Sequence, residues 1–137
     1  MAAFDKINSG FPQMDKILDH IRLGDNVVWQ VWDIDEFRFF AEPFARQAVK
    51  DGRNVIYIRF AQHEPVLRDL NGIKVYHFNP DDGFETFTVA IYDQITREGR
   101  DAFYVFDCLS ELQSVWYTDL MMGNFFRVTC PYLFELD

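Results

Sequence analysis

Cysteine is scarce in this chain. Cys108 and Cys130 are the only two among 137 residues, with no C-x-x-C spacing and no histidine pair beside them. That excludes a disulfide framework, makes a structural metal site unexpected, and points to buried free thiols in a reducing cytoplasm. Basic residues are outnumbered too, with 13 Lys and Arg against 22 Asp and Glu and a net charge of −9. Phosphate contacts need a basic face, so nucleic-acid binding and docking on anionic membrane are both disfavoured. No apolar run approaches the roughly 18–20 residues that span a bilayer. The opening MAAFDKINSGF lacks the basic end and apolar stretch of a secretory signal. Catalytic spacings are missing as well: there is no Ser-His-Asp pattern, Cys-His dyad, H-E-x-x-H or Ca²⁺ loop, and His20, His63 and His77 are scattered.

Aromatic residues, in contrast, are plentiful, with 15 Phe, 6 Tyr and 3 Trp in a chain that is 49% hydrophobic. This rules out a disordered segment. It also leaves more aromatic surface than one domain readily hides, which predicts contact with a partner or a further domain. The pairs Trp116-Tyr117 and Phe125-Phe126 are candidates for such an interface, with core packing as the ordinary alternative.

Length predicts a single domain over 1–137. Along it, apolar runs of strand length alternate with helical periodicity. Strands are predicted at Val27–Val31, Val55–Phe60, Ile73–Phe78 and Ala102–Asp107. Helices are predicted at Gln13–His20, Glu36–Asp51, Phe84–Glu98 and from Ser110 to about Met122, with a helical turn at Val66–Leu70 and a turn opening at Asp5. Phe37, Phe40, Phe44 and Ala48 share one helical face, and Phe87, Ile91 and Ile95 another. The alternation predicts an α/β domain with a mostly parallel sheet covered on both faces.

Three segments give this pattern a family likeness. Ile7-Asn8-Ser9-Gly10-Phe11-Pro12-Gln13-Met14-Asp15-Lys16-Ile17-Leu18 resembles the STGIPGLDEIL lead-in of KaiC-like members of the RecA-like ATPases. Ala48 to Ile58 resembles their step from first helix to second strand, and Phe103 to Leu112 their Walker B strand and its DSLSxL sequel. The likeness spans nearly the whole chain and rests on order and spacing. It implies a three-layer α/β/α fold of the P-loop NTPase type.

The departures from the family bear on function. Its first strand runs into G-x-x-x-x-G-K-[ST], whose backbone N–H groups and lysine hold phosphates. Here Gln30-Val31-Trp32-Asp33-Ile34-Asp35-Glu36-Phe37 occupies that place. Asp35 stands for the second glycine, Glu36 for the lysine and Phe37 for the metal-binding hydroxyl, so flexibility is lost and the charge is reversed. The family's water-activating glutamate pair falls on Ala61 and Gln62, neither of them a base. His63 and Glu64 follow and could in principle take over that role, but such a loop pair is ordinarily solvated. Asp107 alone matches, at the Walker B position. The resemblance therefore implies a non-catalytic pseudo-ATPase domain with no catalytic residue, metal or cofactor expected. ATP and Mg²⁺ return, with weak residual nucleotide binding, only if that implication fails.

Two further expectations follow. RecA-like sheets seat another strand between the Walker B and phosphate-loop strands. Either Arg127–Leu136 supplies it, the central strands pair differently, or the chain is an excerpt or N-terminal domain of a longer protein, the option preferred here. Similar domains accompany PEP synthase or pyruvate phosphate dikinase-like phosphotransferase parts, which implies assembly or regulation, a protein partner and homo-oligomers. As an alternative, Asp33-Ile34-Asp35 resembles the D-x-D of haloacid-dehalogenase-like, Mg²⁺-dependent phosphotransferases, with Asp33 as nucleophile, Asp35 as acid-base and Asp107 on the metal. Phe37 departs from that pattern, and carboxylates at a helix start have an ordinary role of their own.

Overall fold

Three parallel strands form the centre of the computed structural model, which describes residues 6–116 and 118–136. In chain order, β1 (Lys6–Ile7), α1 (Pro12–Leu18) and β2 (Ile21–Arg22) precede α2 (Ile34–Lys50) and β3 (Asn54–Arg59). Then come β4 (Ile73–His77), α3 (Phe84–Glu98), β5 (Ala102–Asp107), α4 (Leu109–Trp116) and α5 (Asp119–Leu136). The parallel sheet has the order β4-β3-β5, and β1 and β2 form a separate antiparallel pair.

Central β3 is apolar on alternate faces and covered on both, so Val55 through Phe60 are all buried. Val55 and Tyr57 meet Ala41, Ala45 and Ala48 of α2, while Ile56 and Ile58 meet Phe87, Ile91 and Ile95 of α3. Burying such side chains contributes roughly 1.5–3 kcal/mol each and sets the α/β arrangement. The small alanines let α2 lie close to the sheet, with Phe37 and Phe44 packed around them. Phe40, predicted on the same face, stacks instead on Trp29 at 3.9 Å.

The lead-in before α2 is a locked turn. The Asp15 carboxylate accepts the Ser9 N–H at 3.2 Å, and Gly10 has φ +91° against the helix. A Cβ at Gly10 would sit 2.5 Å from the Pro43 carbonyl oxygen, so only glycine permits the approach.

Several expectations need correction. Val27–Val31 is not a strand, because it has no strand neighbour among the described residues; Val27 and Val28 are exposed. Val66–Leu70 is not helical, since side chains take its backbone groups. Val66 N–H donates to the Tyr57 hydroxyl, Arg38 donates to the Val66 carbonyl, and Arg68 N–H donates to Glu42.

The helix expected from Ser110 to Met122 is two helices. Thr118 ends the continuity by accepting the Met121 N–H on its hydroxyl at 3.2 Å, an N-cap bond. Arg127–Leu136 is helical, not a strand, and Phe125, Tyr132, Leu133 and Leu136 turn to the α3 side at helical spacing. Trp116 and Phe125 are buried in the core with ring centroids 5.9 Å apart, and Phe126 is half-buried, so these three pack inward rather than on an exposed face. Asp5 and Tyr117 lie outside the described residues. No described helix is long and apolar enough to cross a membrane.

Candidate functional site

Parallel pairing sets Arg59 of β3 beside Asp107 of β5 at the carboxyl ends of both strands. The chain leaves β3 toward β4 on one side and returns to β5 on the other, the kind of reversal beside which α/β sheets form crevices. Asp107 is fully buried. A buried carboxylate requires partners, and the local sequence supplies them from alternate positions of one strand and the loop after it. Tyr57 and Arg59, two apart on β3, reach Asp107 Oδ2: the Tyr57 hydroxyl donates a hydrogen bond to it, and Arg59 Nε lies 3.6 Å away. Burial first, and then the bond to Asp107, hold the Tyr57 phenol well above its ordinary value.

The loop after β3 folds back over this pair, with Arg59 donating to the His63 carbonyl. His63 Nε2 comes to 2.7 Å from Asp107 Oδ1, and His63 Nδ1 lies 2.7 Å from the Glu64 carbonyl. His63 is thus not solvated as expected: its side chain is 24% exposed and directed at a buried carboxylate. Glu64 does remain exposed. Cys108, next along the chain, completes a group in which one ligand atom each from His63, Asp107 and Cys108 lies within 4.8 Å of the others. Burial, joined by the Asp107 and Glu111 carboxylates, pushes the Cys108 thiol up.

The D-x-D residues lie elsewhere. Asp33 is the N-cap of α2 and accepts the Asp35 N–H at 2.8 Å; Asp35 pairs with Arg38 at 2.8 Å. Glu36 reaches back to accept the Trp32 N–H at 3.0 Å. Asp33, Asp35 and Asp107 do not gather: among the described residues, His63-Asp107-Cys108 is the sole cluster of three such ligands. Gln30 is exposed, Phe37 packs on the core, Ala61 is half-buried and Gln62 exposed. A cavity of about 730 Å³ is lined by segment 22–34, by β5 and by α5, with Asp33 and Cys108 both on its wall.

No protein-family model and no curated protein matches this chain.

Sequence reasoning missed Tyr57 and Arg59, took Cys108 for a buried free thiol and set His63 aside as solvated. One signal was available: Tyr57 and Arg59 interrupt the apolar run Val55-Ile56-Tyr57-Ile58-Arg59-Phe60, and an arginine in a strand buried on both faces demands a buried partner. The return of His63 was not available, because it depends on where the loop after β3 turns.

Proposed function

We propose that this chain is a RecA/KaiC-like, three-layer domain of the pseudo-ATPase kind, serving assembly, regulation or signalling rather than hydrolysis. One observation carries the reading: the start of α2 is closed by its own carboxylates. In a nucleotide-binding domain of this type, the amides at that helix start point at phosphate and a lysine neutralises it. Here the Asp35 N–H is held by Asp33 and the Trp32 N–H by Glu36. A phosphate would have to displace one carboxylate and settle beside others, and like charges at that range repel. No cofactor is therefore expected at this position, neither ATP nor Mg²⁺.

On this reading the domain acts in the cytoplasm on a protein partner or on further domains of its own protein, as a homo-oligomer, with a PEP-utilising phosphotransferase part as one such companion. The charge balance supports a partner other than nucleic acid.

Two measurements test the proposal together. Ligands stabilise the form they bind, so ATP with Mg²⁺ is expected to leave the melting temperature unchanged, while the mass in solution exceeds that of a monomer. Micromolar ATP binding by calorimetry, weakened by substitution at Asp33 to Phe37, would overturn it.

A further inference from the structure

We propose that His63, Asp107 and Cys108 form a binding site for a borderline-soft divalent transition metal, with Zn²⁺ as the best fit. This reverses the expectation from sequence, where the three residues show no metal-ligand spacing. It does not rest on the pseudo-ATPase reading, because none of the three stands at the start of α2.

The ligand atoms are oriented before any metal arrives. A carbonyl oxygen only accepts, so His63 Nδ1, 2.7 Å from the Glu64 carbonyl, carries a proton and leaves Nε2 as the ligating nitrogen. A metal-bound histidine is commonly held in this way by its other nitrogen. Nε2 and Asp107 Oδ1 approach to 2.7 Å without the alignment of a hydrogen bond. Both atoms are buried, and among the described residues neither has another hydrogen-bond partner. Two buried acceptor atoms held 2.7 Å apart call for a cation between them, a proton or a metal ion. Asp107 Oδ2, in contrast, is engaged by Tyr57 and Arg59, which fixes the carboxylate with Oδ1 turned toward His63.

Imidazole, carboxylate and thiolate together suit Zn²⁺ and disfavour Mg²⁺ and Ca²⁺, which take oxygen ligands. Zn–N and Zn–O bonds near 2.0–2.1 Å at a tetrahedral angle set their ends roughly 3.3 Å apart, so the His63–Asp107 contact must open by about 0.6 Å. His63 lies in a loop and remains partly exposed, which supplies both the movement and a path from solvent. Binding breaks the Cys108 S–H bond, forms Zn–S and releases the proton to solvent. Arg59 is the opposing charge. Replacing that proton by Zn²⁺ adds one positive charge beside the Arg59 guanidinium, a repulsion that the three ligands must outweigh. A fourth position is left for water.

Co²⁺ titration of the reduced full chain tests the site, because a cobalt-bound thiolate gives a sulfur-to-metal band in the near ultraviolet. The band is expected in the parent chain and in Cys130→Ser, displaced by Zn²⁺, and absent from Cys108→Ser and His63→Ala. No band in the parent, or one that survives Cys108→Ser or vanishes with Cys130→Ser, overturns the proposal. Alkylation of the unsubstituted chain, mapped by mass spectrometry, decides the matter should the variants fail to fold. Saturating Zn²⁺ is expected to slow Cys108 labelling about tenfold and to leave Cys130 labelling unchanged. Equal rates with and without Zn²⁺ at Cys108 would overturn the site.

Discussion

Arg59 and Asp107 face each other across the β3–β5 ladder, with Nε 3.6 Å from Oδ2, and both side chains are removed from water. Each makes the burial of the other tolerable. Removing one partner of such a pair leaves a buried charge and costs about 3–5 kcal/mol. Arg59→Met is accordingly expected to destabilise the fold by about 3 kcal/mol, near the lower bound because Tyr57 still donates to the carboxylate. Asp107→Asn, which removes the charge itself, should recover part of that loss in the double variant. Urea unfolding of the four-member cycle measures the coupling, and strict additivity would show that the two residues do not compensate each other.

Tyr57 connects this pair to the loop above it, donating to Asp107 and accepting the Val66 N–H at 2.9 Å. Tyr57→Phe strands both partners and is expected to cost about 2 kcal/mol. Its pH signature is specific. The folded phenol is raised above the unfolded value of 10.0, so its contribution is complete below pH 10 and lost as pH rises toward the folded value. Tyr76 and Tyr92 are raised as well, so a slope persists in the variant. Tyr57→Phe should flatten the fall in stability above pH 10, and a slope equal to the parent's would contradict the assigned role.

At the opposite end of the sheet, Glu98 gathers four donors: Asn54, Lys74, Tyr76 and Gln94, at 2.8–3.2 Å. Burial raises this carboxyl, but hydrogen bonds from Lys74, Asn54 and Tyr76 outweigh it and hold the group below its ordinary value. A depressed carboxylate contributes stability that is present above the unfolded value of 4.5 and lost as pH falls toward the folded one. Glu98→Gln is expected to lower stability at neutral pH and to reduce the acid slope below pH 4.5. Thermal melts from pH 7 to pH 3 would register both effects; a parallel pair of curves would count against the cluster.

Two glycines with similar backbone angles separate local from tertiary constraint. Gly10 and Gly52 have φ +91° and +76°, but a Cβ at Gly52 meets nothing within 4 Å, whereas at Gly10 it strikes the Pro43 backbone. Gly52→Ala should cost about 1–2 kcal/mol, the left-handed penalty alone. Gly10→Ala should cost clearly more, because α2 must also move. Similar losses in chemical denaturation would mean that the lead-in does not press on α2.

Much of the architecture was legible in residue order. Phe84–Glu98 and Ala102–Asp107 have the predicted limits, and the helix before β3 and the strand at Ile73 fall within a residue or two of theirs. These segments declare themselves locally: glycines bound α3, its apolar residues recur at helical spacing, and β3 and β5 are short and almost wholly apolar. The acidic start of α2 was legible as well, since Asp33, Asp35 and Glu36 sit where a helix N-terminus favours negative charge.

The failures share a cause. Val27–Val31 has the composition of a strand but no neighbour to pair with, and Val66–Leu70 lost its helical turn to side chains from Arg38, Glu42 and Tyr57. The gathering of the candidate site was hidden for the same reason, although Asp107 had been singled out. The sequence by itself determined which runs are apolar, where helices begin, that the segment opening α2 is acidic and that a strand-like apolar run carries an arginine. Only the tertiary structure decided that Arg59 opposes Asp107 and that His63 returns to meet that carboxylate. Propensity and charge act over a few residues along the chain, whereas the partner of a buried polar atom depends on strand register and on the path of a loop.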